Sequence, residues 1–282
     1  MIKQVSVIGA GTMGRGIAFA CALKNLSVVV QDIHEQGLTN TKQYMEEQFQ
    51  KSIQKGKITE EQRKRIRGNI HYSLNIEEAV KQADLVIEAV LEIMDLKIEI
   101  FKELDKYAPK HAILATNTST MSPTEIAAQT KRPDQCIALH FFNPVPKMKL
   151  IEVVCGLETS EETITRSFQF GESIGKECVR INEFPGFAVS RMNCLIGNEA
   201  MNMVMEGVGT AEDIDKAMKL GLNHPMGPLE LADLVGLDTR LRNMEYLYQT
   251  LGEKYRPCPI LIKYVKAGHL GKKTGRGFYN YS

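Results

Sequence analysis

Val5-Ser6-Val7-Ile8-Gly9-Ala10-Gly11-Thr12-Met13-Gly14 is a short apolar strand running straight into Gly-x-Gly-x-x-Gly, with an apolar helix from about Gly16 to Lys24 after it. A strand before and a helix after is the context in which this spacing acts as a dinucleotide fingerprint. Gly9 permits the tight turn, Gly11 lets the backbone approach a pyrophosphate, and Gly14 lets the helix pack closely on the strand. Free N–H groups at the helix N-terminus then face the phosphates with a partial positive charge. Val28-Val29-Val30 reads as a second strand, and Asp32 closes it eighteen residues after Gly14. An acid there hydrogen-bonds a ribose hydroxyl and repels a 2′-phosphate, and Ile33-His34 supplies no adjacent Arg, so NAD is favoured over NADP. The competing possibility is that the glycines only pack and Asp32 only caps a turn.

Further along, the apolar runs Leu85–Val90 and Ala112–Ala115 alternate with a helical stretch, Asp95–Tyr107. Another strand, Cys136–Phe141, follows a helix that opens at Ser122-Pro123-Thr124-Glu125, a capping box with Pro at the first helical position. This alternation predicts an α/β fold with a parallel, doubly wound, Rossmann-type sheet. The last strands, Ile151–Val154 and Val179–Ile181, read as antiparallel additions. Between about residues 36 and 67 the pattern turns long, polar and helical, an inserted helical hairpin whose second helix is capped at Thr59. Its positive charges are Lys42, Lys51, Lys55, Lys57, Arg63, Lys64, Arg65 and Arg67. Such a run is either a solvated helical face or a platform for an anionic ligand.

Glu183-Phe184-Pro185-Gly186 punctuates the chain, and after it the β pattern disappears. Helices are predicted over Phe187–Met205, Ala211–Leu220, Glu230–Val235, Thr239–Leu251 and Pro259–Ala267. The division therefore falls near residue 185: an NAD-binding domain over 1–185 and an all-helical domain over 186–282.

Of 282 residues, 43% are hydrophobic and 24% charged, which is ordinary for globular proteins and excludes disordered and fibrous classes. Thirty-five Lys and Arg against 34 Asp and Glu give a net charge of +1, so no global field favours nucleic acid or a membrane surface. Six cysteines are scattered without metal-ligand spacing, as suits small buried hydrophobes in a reducing compartment. No apolar stretch approaches the ~18 residues of a membrane span. With a strand starting almost at once, no signal or transit peptide is expected, and the expected location is the cytoplasm.

Chemistry at a nicotinamide needs a group to handle the alcohol proton. Among six histidines only His140 falls at the C-terminal end of a predicted sheet strand, where ligands of open α/β sheets bind. Glu152 lies twelve residues on, among β-branched neighbours, where a carboxylate needs a partner. A His–Glu pair meets that need, because the acid orients the imidazole and stabilises the imidazolium; a satisfied core histidine is the plainer alternative. Asn117-Thr118-Ser119-Thr120 ends another strand and is either a turn or a source of a hydroxyl for the same crevice.

These residues, with His140-Phe141-Phe142-Asn143-Pro144-Val145-Pro146, Lys149-Leu150-Ile151-Glu152, Pro185-Gly186-Phe187, Met218-Lys219-Leu220-Gly221, His224-Pro225-Met226-Gly227-Pro228 and Gly271-Lys272-Lys273-Thr274-Gly275, resemble the L-3-hydroxyacyl-CoA dehydrogenase family. The resemblance spans essentially the whole chain and is nearest to the bacterial short-chain, 3-hydroxybutyryl-CoA branch. It implies NAD-dependent oxidation of a short-chain (3S)-3-hydroxyacyl-CoA, and the reverse reduction of acetoacetyl-CoA, in fatty-acid or butanoate metabolism. Residue by residue, it implies His140 as catalytic base, Glu152 as orienting acid and Ser119 as the serine on the substrate's 3-oxygen. It further implies NAD contacts at Gly9–Gly14, Asp32, Glu92, Lys97, Ser119, Asn143 and Lys273. Asn143 also falls beside the substrate, and Lys55, with Lys51 near it, falls where the family meets CoA. It also implies a homodimer through the helical domain. Ser190 stands where the family usually has Asn, which puts rate and substrate fit in question more than reaction type. A dehydrogenase of a sugar acid or another non-CoA 3-hydroxy acid is the rival enzyme, and a non-catalytic NAD(H)-binding protein the rival from another class. The basic hairpin argues against the first, and the retained His140 and Glu152 against the second.

Overall fold

The structure, a computed structural model, describes residues 1–281. Along the chain run β1 (Gln4–Ile8), α1 (Thr12–Ala22), β2 (Ser27–Gln31), α2 (Glu35–Gln54), α3 (Glu60–Gly68), β3 (Ile70–Ser73), α4 (Ile76–Val80) and β4 (Leu85–Glu88). Then come α5 (Met94–Tyr107), β5 (Ile113–Thr116), α6 (Pro123–Ala127), β6 (Cys136–Phe141), β7 (Leu150–Cys155), α7 (Glu161–Ser173) and β8 (Glu177–Asn182). All eight strands form one sheet in the order β3-β2-β1-β4-β5-β6-β7-β8. The first six run parallel, as the strand–helix alternation predicts. β7 pairs antiparallel with β6, and β8 pairs parallel with β7, so both oppose the first six as expected.

Alternate residues of these strands go to opposite faces, which is why the strands read as nearly unbroken apolar runs. Val5, Val7, Leu85, Ile87, Ile113 and Ala115 pack with Ile17 and Phe19 of α1 and with Met45 and Phe49 of α2. On the other face Ile8, Val86 and Leu114 pack with Phe101 and Leu104 of α5. The hairpin of α2 and α3 is joined at Thr59, whose side chain accepts from the Gln62 N–H while Gln62 reaches back to the Thr59 N–H.

Several boundaries differ from the sequence expectation. α1 starts at Thr12 rather than near Gly16, because the fingerprint's own residues form its first turn. β3 has only Ile70 buried, too little apolar content to mark it in the sequence. α7 was likewise unmarked; it is the crossover that makes β8 parallel to β7.

The chain divides into two compact units, Met1–Glu183 and Phe184–Ser282. The second holds α8 (Val189–Met205), α9 (Ala211–Gly221), α10 (Pro228–Val235), α11 (Leu237–Leu251) and α12 (Pro259–Lys266) around its own core of Met201, Leu229, Leu237, Met244, Leu247 and Leu261. Its C-terminal tail is tied to α10 by Asp233, whose carboxylate accepts the N–H groups of Phe278 (3.0 Å) and Tyr279 (2.9 Å). No helix among the described residues is long and apolar enough to cross a membrane.

Candidate active site

The β1–α1 turn shows why each fingerprint glycine is needed. Gly9 has φ +100°, and a Cβ there would lie 2.8 Å from the Ala89 carbonyl oxygen. A Cβ on Gly14 would lie 1.8 Å from the Gly9 oxygen, so the helix can sit under the turn only without one. At Gly11 nothing lies within 4 Å of a Cβ position, leaving that backbone open. Before it opens a cavity of about 1010 Å³, lined by Gly9, Gly11, Thr12, Met13, Gln31 and Asp32 on one side and by Leu74, Ile76, Val90, Leu96 and Ile100 on the other. Asp32 is oriented by the N–H groups of Ala10 (2.8 Å, to Oδ2) and His34 (2.9 Å, to Oδ1). An open glycine turn, a helix N-terminus and an oriented carboxylate above an apolar wall fit a dinucleotide: phosphates on the turn, ribose on Asp32, adenine among the aliphatic side chains.

A second cluster joins the ends of β4 and β5. Glu88 is fully buried, as is Lys97, and Lys97 Nζ donates to Glu88 Oε1 at 2.7 Å. Glu88 also accepts from the Val90 N–H (2.8 Å) and the Thr116 hydroxyl (2.7 Å). Lys97 reaches Glu92 Oε2 at 3.2 Å, and Glu92 Oε1 accepts from the Thr118 hydroxyl and from the Ser119 N–H at 2.9 Å. Glu92, Lys97 and Ser119 are thus one network, anchored on Glu88, which the sequence reasoning missed. Its signal was a carboxylate ending a wholly apolar strand. Lys97 presents no surface of its own, so its influence passes through Glu92.

His140 and Glu152 face each other directly across β6 and β7. Nδ1 of His140 lies 2.6 Å from Glu152 Oε2, with His140 6% and Glu152 0% exposed. The Phe142 ring lies against the imidazole, centroids 4.3 Å apart. Asn117 Oδ1 accepts the Phe141 N–H at 3.0 Å, tying the segment that carries Ser119 to the end of β6. Asn143, two residues beyond β6, is exposed. The loop it begins is held from below by buried Lys176, whose Nζ donates to the carbonyls of Val145 and Met148, both at 2.6 Å. Burial pulls the Lys176 ammonium below its ordinary value, and the same apolar surroundings push the nearby Cys21 thiol up to about 12.

The hairpin's charges sort themselves. Arg63 pairs with Glu46 and Glu60, and Arg67 with Glu46. Lys51 and Lys55 are exposed and enter no ion pair among the described residues. In the helical unit, Ser190 is the second residue of α8. Lys273 pairs with Asp238; burial works to raise the Asp238 carboxyl, but the Lys273 hydrogen bond and the Thr239 N–H hold it below its ordinary value.

Residues 4–184 match the model of the 3-hydroxyacyl-CoA dehydrogenase NAD-binding domain, and 186–281 that of the same family's C-terminal domain. A probable 3-hydroxybutyryl-CoA dehydrogenase of Bacillus subtilis (strain 168) is 51% identical over 99% of this chain and 98% of its own length. The 3-hydroxybutyryl-CoA dehydrogenase of Bradyrhizobium diazoefficiens is 44% identical over 100% of this chain and 96% of its own. Among solved structures, (S)-3-hydroxybutyryl-CoA dehydrogenase from Ralstonia eutropha superposes with a TM-score of 0.96 at 43% identity, covering 100% of both chains.

Proposed function

Because this chain belongs to the 3-hydroxyacyl-CoA dehydrogenase family, we propose that it interconverts a short-chain (3S)-3-hydroxyacyl-CoA, such as 3-hydroxybutyryl-CoA, and the 3-ketoacyl-CoA. The observation that carries this is the buried His140–Glu152 pair, 2.6 Å apart on the same edge of the sheet as the dinucleotide turn. NAD is the cofactor, held by the Gly9–Gly14 turn and Asp32; when bound it supplies the hydride acceptor.

The residues divide the remaining work. With Nδ1 directed to Glu152, the substrate's hydroxyl proton passes to Nε2 of His140. Glu152 then faces an imidazolium inside a low-dielectric pocket, where the attraction is far stronger than in water. The Ser119 hydroxyl holds the 3-oxygen, and its backbone is fixed by Glu92. In the reverse direction His140 returns the proton to that oxygen. Asn143 adds to the cofactor and substrate contacts, and Lys51 and Lys55 meet the CoA moiety. The helical unit makes a homodimer, consistent with exposed Met192, Met205, Val208, Leu220 and Leu222 on its surface. The enzyme works in the cytoplasm, in fatty-acid or butanoate metabolism.

The test is NADH consumption with acetoacetyl-CoA, beside NADPH and beside free acetoacetate. Turnover confined to NADH with the CoA ester supports the proposal. Equal turnover with free acetoacetate, or none with either substrate, overturns it.

A further inference from the structure

Arg15 lies in the first turns of α1, immediately after the last fingerprint glycine, yet it does not line the dinucleotide cavity. Its guanidinium instead sits over the ring of Tyr44 on α2, 4.7 Å from the centroid. Its Nε is buried without a hydrogen-bond partner, and it meets no carboxylate among the described residues. A cation already immobilised on an aromatic face and left without an anion is prepared for one from outside.

Helical geometry says what lies beside it. Tyr44, Gln48 and Lys51 follow one another at intervals of four and three, so they form a single stripe along α2, and Lys55 caps the helix immediately beyond it. The buried residues Leu38, Thr41, Met45, Phe49 and Ser52 form a separate stripe, turned roughly 90° away at 100° per residue. Arg15 therefore caps one end of a flank whose other end carries Lys51 and Lys55, about 10–16 Å along the axis at 1.5 Å per residue. The same turn of α1 borders the catalytic edge: a Cβ on Gly16 would lie 3.1 Å from Val145, in the loop that follows His140 and Asn143.

CoA carries two anionic groups, a diphosphate and a 3′-phosphate, and the diphosphate is the one joined to the pantetheine arm that leads to the thioester. We infer that Arg15 binds the CoA diphosphate, the anion nearer the reacting end, while the lysines at the far end of the stripe meet the rest of the nucleotide. This rests on the CoA-ester reading given above, and it adds a residue to it.

The experiment compares acetoacetyl-CoA, its 3′-dephospho form and S-acetoacetyl-pantetheine in wild type, Arg15→Gln and Arg15→Lys. Gln keeps the aliphatic stem and removes the charge. It is expected to raise KM about tenfold for both nucleotide-bearing esters, the scale of one lost charge-assisted hydrogen bond. KM for the pantetheine thioester and for NADH should move less than twofold, and Arg15→Lys should stay within about threefold of wild type throughout. An equal rise for the pantetheine thioester, a rise in KM for NADH, or no rise for the CoA esters overturns the assignment to the diphosphate. So does a rise that vanishes with the dephospho ester. Should wild type itself treat all three thioesters alike, the CoA reading of the function fails, an outcome separate from any behaviour of the variants.

Discussion

His140 and Glu152 are direct register partners across the antiparallel pair β6–β7, with Nδ1 and Oε2 at 2.6 Å. Because both side chains leave adjacent strands on one face, their geometry is set by the sheet's hydrogen bonds and not by a loop. A positioned acid/base of this kind is worth ~10²–10⁴-fold in rate. His140→Gln should lower kcat for acetoacetyl-CoA reduction by at least ~10²-fold, with NADH affinity by fluorescence titration nearly unchanged. Glu152→Gln should lower kcat in the same direction, since the neutral amide cannot stabilise an imidazolium. Wild-type kcat in either variant would remove the pair from the mechanism.

Asp32 closes β2 with its carboxylate oriented by Ala10 and His34 and directed at the cavity. Asp32→Ser should raise KM for NADH and lower the NADH-over-NADPH preference by ~10-fold or more, the scale of a charge-assisted hydrogen bond to ribose. Steady-state kinetics with both cofactors checks this, and an unaltered preference would assign selectivity elsewhere.

Much of this site was legible because its residues carry their reason locally. Gly9, Gly11 and Gly14 are spaced by the turn they build, and a carboxylate among β-branched residues at 152 announced a partner. Glu88 escaped because its partners are scattered: Lys97 comes from α5, Thr116 from β5 and the Val90 N–H from the turn between. Lys176 escaped for the same reason, since the carbonyls it holds lie 31 and 28 residues away and carry no side-chain signature. β3 was invisible because a strand with one buried residue has almost no apolar pattern to read.

Asp84, at the N-terminal end of β4, accepts the N–H groups of Lys3 (2.7 Å) and Gln4 (3.0 Å) and contacts His111. Burial works to raise its carboxyl, but those two N–H groups and His111 outweigh it and hold the carboxyl below the ordinary 3.8. A depressed carboxylate stabilises the fold above its unfolded pKa, and that contribution disappears as pH falls through the folded value. Asp84→Asn should therefore be less stable than wild type at pH 6, with the gap narrowing below about pH 4. Urea unfolding across that range measures it; a gap that is constant with pH would mean that ionisation of Asp84 contributes nothing.

Lys97 and Glu88 are both fully buried, and among the described residues each is the other's only opposite charge that is wholly withdrawn from water. Removing one member of such a pair strands a charge, at a cost of ~3–5 kcal/mol, whereas removing both is often neutral. Lys97→Met should accordingly lower stability by about that amount in urea unfolding, and adding Glu88→Gln should restore at least half of it, because Gln keeps an oxygen for the Val90 N–H or the Thr116 hydroxyl. Kinetics separates the pair's second role. The double variant still lacks the ammonium that holds Glu92, so Ser119 is less firmly placed, and kcat should remain depressed after stability has recovered. Recovery of both together would mean that Lys97 acts only as a counter-ion in the fold.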